Sequence, residues 1–354
     1  MNDALKRCLD DLEARIDPQE EDAILQAWRD FSENRFRGDI FSPRRSRPDG
    51  LNRPPAVEWP HVSINTALGD FDRMALQQFG GCSKTLADGG GSVLNVRCNY
   101  GSSIAPLLFG VEVFVMDEEL ETLPTSRPLN EVAAIRRLIA AGVPDLRTGY
   151  GARVLEMGQR FAEIARQYPK IGKYVFIYHP DMQGPMDICE VVWGSTIFYA
   201  ALDDPGLVKE LLELAVATYI AFMRAWEQIV PFRPDGNAHW GLYHKGKIML
   251  RDDSAMNFSK RMFEEFIGPY DQRLLDEFGG GAIHFCGKGD HYIPAMTQLR
   301  GLHAINLSQP HLNDMEKVYR HTVDRGIKLL NLTRDAADAA LARGRDLRGQ
   351  AHCA

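Results

Sequence analysis

The chain has 354 residues, a formal net charge of −7 and 45% hydrophobic residues. That is ample for a large core, and an acidic balance with no basic block argues against a nucleic-acid partner. No apolar run reaches the roughly 18 residues of a spanning helix, no signal-peptide core opens the chain, and the cysteines follow no disulfide spacing. A cytoplasmic protein with free thiols and no membrane association is expected.

In chain order, residues 3–16 and 18–35 read as helices, with Pro18 suited to the first turn of the second. Residues 36–60 are irregular and proline-rich. They read as an extended arm laid over the fold and anchored by Phe41, Leu51, Val57 and Trp59, with Arg44, Arg45 and Arg47 in a solvated turn. Together, 1–60 form an N-terminal helical extension. Residues 61–345 form the catalytic domain and 346–354 a C-terminal tail. A helix is expected over 65–79. Strands are expected at 92–98, 111–116, 174–178, around His239 and Trp240, and at 247–250, 281–285, 302–307 and 326–332. Helices are expected at 130–141, 151–168, 187–201 (broken near Gly194), 205–228, 260–278, 313–325 and 334–344. Strands alternating with helices over about 260 residues predict an α/β fold, a (β/α)8 TIM barrel.

In such a barrel, polar groups at the C-terminal strand ends share one face. The residues placed there are Arg97 and Asn99; His179, Asp181 and Gln183; His239; Arg251, Asp252 and Asp253; His284 and Cys286; Gln309; and Asn331. Such a gathering of imidazoles, carboxylates, guanidiniums and a thiol directly after apolar runs reads as an enzyme site. His284 and Cys286 are two apart on a strand, so both side chains aim to the same side. An N/S pair of that kind suits Zn²⁺. His239, Asp253 and Cys353 are candidate third ligands, and His239 is placed in the metal set. Cys353 reads more simply as part of a frayed, exposed end. Asp253, Asp252, Asp181 and His179 are the acid–base candidates. Arg97, Asn99, Tyr100, Gln183, Trp240, Arg251, His291 and Gln309 are placed against substrate, the arginines being suited to carboxylates.

The run LRDDSAMNFSKRMFEEFIGPYDQRLLDEFGGGAIHFCG resembles the uroporphyrinogen decarboxylase superfamily. So do NYGSSIAPLLFG at 99–110 and MQGPMDICEVVWGS at 182–195, and the similarity spans roughly residues 90–332. The resemblance implies a TIM barrel with its site at the strand C-termini. It also implies one of two activities. One is a zinc-dependent methyltransferase that works with a corrinoid protein; the other is uroporphyrinogen decarboxylation without metal. The methyltransferases use His-x-Cys plus a later Cys as zinc ligands. His284 and Cys286 match the first two, but LLNLTRDAADAAL, where the third belongs, has no cysteine. The decarboxylases' Met-Arg-Gln-Ala-Gly-Arg segment is not found either.

The sequence therefore reads as a divergent branch of that superfamily. It is expected to be a zinc-assisted methyl or alkyl transferase acting on a small methylated or thiol substrate, with a corrinoid protein as the implied partner. A metal-independent decarboxylase (a lyase) and a barrel that binds a small ligand without catalysis are the alternatives. Substrate, methyl donor and oligomeric state, a homodimer included, stay open.

Overall fold

A computed structural model describes residues 1–45 and 53–354; Arg47 and Leu51 lie outside the described residues. The strands are β1 (Ile40–Phe41), β2 (Asn95–Val96), β3 (Glu112–Phe114), β4 (Thr125–Arg127), β5 (Phe176–Ile177), β6 (Asn237–His239), β7 (Leu242–His244), β8 (Ile248–Arg251), β9 (Gly281–Phe285), β10 (Leu302–Leu307), β11 (Lys328–Leu330) and β12 (Ala351–His352). Six of them form one parallel sheet in the order β1-β12-β11-β10-β9-β8. A second parallel pair is β2-β5. Helices fill most of the connections, which makes an α/β fold.

Between the six-stranded sheet and the β2-β5 pair, single contacts replace ladders. Met249 N–H donates to His179 Nε2 at 2.9 Å, and Gly184 N–H to the Arg251 carbonyl at 2.7 Å. Val93 N–H reaches the Gly241 carbonyl of the β6-β7 hairpin at 3.0 Å. Backbone ladders therefore do not run round a full ring among the described residues. The segment 111–116, expected as part of the parallel set, instead pairs antiparallel with β4 as a separate ribbon.

Helix boundaries follow local chemistry. Asp17 accepts from the Gln19 and Glu20 amides and Pro18 fills the first turn, which starts the helix Pro18–Ser32. Asp70 ends one helix, Ile64–Gly69, and caps the next, Phe71–Asp88, so the single helix expected over 65–79 is two. The helix expected over 313–325 shrinks to Met315–His321 between two short 3₁₀ turns.

Alternation along the strands separates two cores. Ile248, Leu250, Ile283, Phe285, Ile305, Leu307 and Leu329 pack in the main core with the helices. Met249, Ala282, Ala304 and Leu330, on the other face, bury against Trp28, Phe31 and Phe41. Each large apolar side chain buried in this way contributes about 1.5–3 kcal/mol. Trp28, Phe31 and Phe41 of the N-terminal extension thus pack on the Met249, Ala282, Ala304 and Leu330 part of that face, in one cluster with Val93, Phe176, Ala238, Leu242 and Tyr243. Arg45 is not solvated as expected: it is buried and pairs with Glu21 of the second helix at 2.7 Å. The C-terminus is not a frayed tail. β12 lies between β11 and β1, Cys353 is buried, and its N–H donates to the Phe41 carbonyl at 3.0 Å. No helix among the described residues is long and apolar enough to cross a membrane.

Candidate metal centre

Cα pairing lines up Arg251, His284, Asn306 and Leu330 in one row across β8, β9, β10 and β11. Because side chains alternate, Arg251, His284 and Asn306 share the face of Met249, Ala282 and Ala304. Past the strand ends, Asp253 and Cys286 continue on that face. There Asp253, His284 and Cys286 each offer a ligand atom, all within 4.8 Å of one another. His284 Nε2 lies 3.3 Å from Cys286 Sγ and 3.4 Å from Asp253 Oδ1. A tetrahedral zinc ion, with Zn–N about 2.0–2.1 Å, Zn–S about 2.3 Å and Zn–O about 2.0–2.2 Å, sets such edges at about 3.4–3.6 Å. The donor set and its spacing fit a metal ion.

The surroundings hold these ligands. His284 Nδ1–H donates to Asn306 Oδ1 at 2.7 Å, and Asn306 Nδ2–H donates to the Leu330 carbonyl at 2.7 Å. Cys286 N–H donates to Asp253 Oδ1 at 2.9 Å. Asp187 accepts from the amides of Asp253 and Ser254 at 2.9 Å each, and from the Ser254 hydroxyl. It thereby fixes the 3₁₀ turn Asp253–Asn257. Gln309 Oε1 accepts from Gly287 N–H at 2.6 Å, and Asn313 Oδ1 accepts from Gly289 and Asp290, which shapes the loop after Cys286. Burial alone would lower the His284 pKa. Asp253, Cys286 and Asn306 outweigh burial and push it up to about 10. Burial likewise works to raise Asp253, and its contacts with His284 and Cys286 bring it below the usual carboxylate range.

His239 is not in this group. Its Nε2 faces Asp181 Oδ1 at 3.6 Å, and the Trp240 ring packs against both imidazoles, 5.6 Å from His239 and 5.0 Å from His284. The third member is Asp253. Trp240 and Gly241 form the two-residue turn of the β6-β7 hairpin with φ of 48° and 76°. Both are left-handed, as a type I′ turn requires and as a bulky residue seldom is. The turn sets the indole between the triad and a second cluster. In that cluster Arg97 Nη1 bonds Asp181 Oδ2 at 2.8 Å, Arg251 pairs with the same carboxylate, and the Arg251 guanidinium lies 4.6 Å from the Trp240 ring centre. Burial would raise the Asp181 pKa, but the two guanidiniums hold it well below the usual range. With its amide turned so that the nitrogen faces Asp187, Gln183 donates to Asp187 Oδ2 at 3.1 Å and accepts from Arg251 Nη1 at 3.3 Å, which links the clusters.

Several expected site residues are placed elsewhere. Asp252 is one residue out of phase with Arg251 and Asp253. It is buried beside Asp271 of the helix Gly268–Phe278, where burial holds both carboxyls above the ordinary range. His179 has both nitrogens engaged, Nδ1 with the Pro180 carbonyl at 2.8 Å and Nε2 with Met249 N–H. Burial lowers its pKa to about 4. Asn99 bonds Gln77 at 3.0 Å and the fully buried Tyr100 bonds Arg153 at 3.2 Å. His291 Nε2 ties its loop to the Phe258 carbonyl at 2.8 Å. Cys353 lies beside the β12–β1 edge of the sheet and is no part of the triad.

Asn306, Asp187 and Asp271 were not foreseen from the sequence. A signal for Asn306 was present: AIHFC at 282–286 and AINLS at 304–308 are one pattern, and they pair in register.

No protein-family profile matches the sequence, and no curated protein matches it. Among solved structures the fold is similar to that of a methyltransferase from Methanosarcina mazei. The TM-score is 0.61 over 82% of this chain and 81% of that chain, at 17% sequence identity. At that identity the likeness establishes a shared α/β fold.

Proposed function

We propose that this chain is a metal-dependent enzyme that transfers a methyl or alkyl group to or from a small methylated or thiol substrate, with zinc held by Asp253, His284 and Cys286. In this reading the parallel strands complete a (β/α)8 barrel of the uroporphyrinogen decarboxylase kind, and the triad sits at its mouth. What carries it is the triad itself, three donors of different softness at parallel strand ends, with the two separations from His284 Nε2 close to the edges of a tetrahedral zinc site. Asp253 then takes the place of the cysteine that the resemblance led us to expect. The neighbour's description as a methyltransferase supports the same reading.

Zinc with three protein ligands supplies Lewis acidity at an open coordination position. The chain's own residues do the rest. Asn306 orients His284, and Asp187 orients the turn bearing Asp253. Trp240 walls the site, and Arg97 and Arg251, two cations on one carboxylate, leave a surplus positive charge beside it for an anionic part of the substrate. A corrinoid protein is the proposed methyl carrier. That surplus charge is also what favours the second reading, a metal-independent decarboxylase of carboxylate-rich substrates.

The test is to incubate zinc-loaded protein with methylcobalamin and a panel of small thiols, following loss of the Co–C bond optically. Turnover that falls more than about 100-fold in Cys286→Ala supports the transferase, since losing a ligand removes the site. No turnover with any thiol, together with consumption of uroporphyrinogen by metal-free protein, would replace it with the decarboxylase.

A further inference from the structure

We propose that Asn306 is a positioning residue that dictates which nitrogen of His284 meets the metal. This rests on the reading of Asp253, His284 and Cys286 as a metal site. The constraint starts two strands away. The Leu330 carbonyl can only accept, so at 2.7 Å it selects the NH₂ end of the Asn306 amide. The reverse orientation would set two buried oxygens against each other, because Asn306 is 4% exposed and shielded from solvent. The amide oxygen must then face His284. It accepts, so His284 Nδ1 must carry the hydrogen of their 2.7 Å bond. Nε2 is left as the metal-facing nitrogen, 3.3 Å from Cys286 Sγ and 3.4 Å from Asp253 Oδ1. A backbone carbonyl of β11 thus sets the tautomer of a ligand on β9 through one side chain of β10, and sheet register keeps all three in one row. A bonded second nitrogen also makes an imidazole a better and less mobile ligand.

The experiment measures zinc affinity by competition with a chromophoric chelator for wild type, Asn306→Leu and Asn306→Asp, with melting curves of the metal-free proteins alongside. Leucine matches the shape of asparagine but cannot accept, and aspartate keeps the acceptor while losing the donor to Leu330. The expected result is a loss of about 10–100-fold in affinity for N306L and less than about 3-fold for N306D, the range seen when an outer partner of a metal ligand is removed. A merely structural role would lower both melting temperatures and leave affinity unchanged. N306L that binds zinc as wild type does overturns the proposal. Should N306L not fold, N306D losing 10-fold or more overturns it. Wild type that binds no zinc fails differently, because it removes the metal site itself.

Discussion

Asp252 and Asp253 are adjacent, and one step along the chain separates their chemistry. Asp253 shares the face of His284 and meets its imidazole and the Cys286 amide. Asp252 turns into the helix layer and meets Asp271. Their variants should therefore behave oppositely. Asp253→Asn keeps the shape but loses the charged ligand, and zinc affinity measured by chelator competition should drop by about 100-fold or more. Asp252→Asn keeps the shape of the side chain beside Asp271 and removes one buried acid. Affinity should stay within about 3-fold and the melting temperature should not fall, since burial already favours the neutral form of this carboxyl and the amide replaces it in the same shape. Equal losses in the two variants would mean that strand alternation does not decide which acid serves the metal. The sequence alone could not split this pair, because parity depends on where β8 ends and where the turn Asp253–Asn257 begins. His239 misled for a similar reason. Its strand is one arm of a three-residue hairpin whose Trp-Gly turn lacks the usual Asn-Gly signal.

At the scale of elements, β9 was readable end to end: GAIHF is apolar, glycine-bounded and wholly buried. Its first residue is under the tightest constraint. A Cβ on Gly281 would run into the Ile248 carbonyl oxygen on β8, which is backbone and cannot swing aside. Gly281→Ala should therefore cost more than about 3 kcal/mol, read as a lower denaturation midpoint or loss of soluble protein. A melting curve that matches wild type would show that β8 and β9 are not packed as described. β12 was not readable. Gln350 to Ala354 has no apolar run, and what makes Ala351–His352 a strand is pairing with β11 and β1, far away in the chain. Tertiary pairing of that kind leaves no local pattern.

Across the whole molecule, several imidazoles are buried uncharged. Burial lowers His179, His244 and His352 each to about 4. An unfolded histidine takes its proton near pH 6.5, and these take theirs only near 4, so acid favours the unfolded chain throughout that window. The stability they contribute is complete above pH 6.5 and is lost as pH falls toward 4. Asp252 and Asp271 run the other way, because burial raises both and protonation relieves it as pH falls. A single-histidine variant isolates the imidazole part. Metal-free His244→Gln should lose less stability than wild type between pH 7 and pH 4.5, by about 2 kcal/mol in urea titrations. The same loss in both proteins would contradict the uncharged burial of that ring. The α/β plan and most of its helices were legible because strand and helix periodicities are local. The packing of Trp28, Phe31 and Phe41 on Met249, Ala282, Ala304 and Leu330 was not, since an amphipathic helix shows that it has a partner without showing which.

Whether Asp253, His284 and Cys286 hold a metal ion is read most directly from zinc content per chain. Protein purified without chelator and dialysed against metal-free buffer should retain about one equivalent, falling below about 0.2 in His284→Ala. Less than about 0.2 equivalents in wild type, unchanged by that substitution and by added zinc, would contradict it.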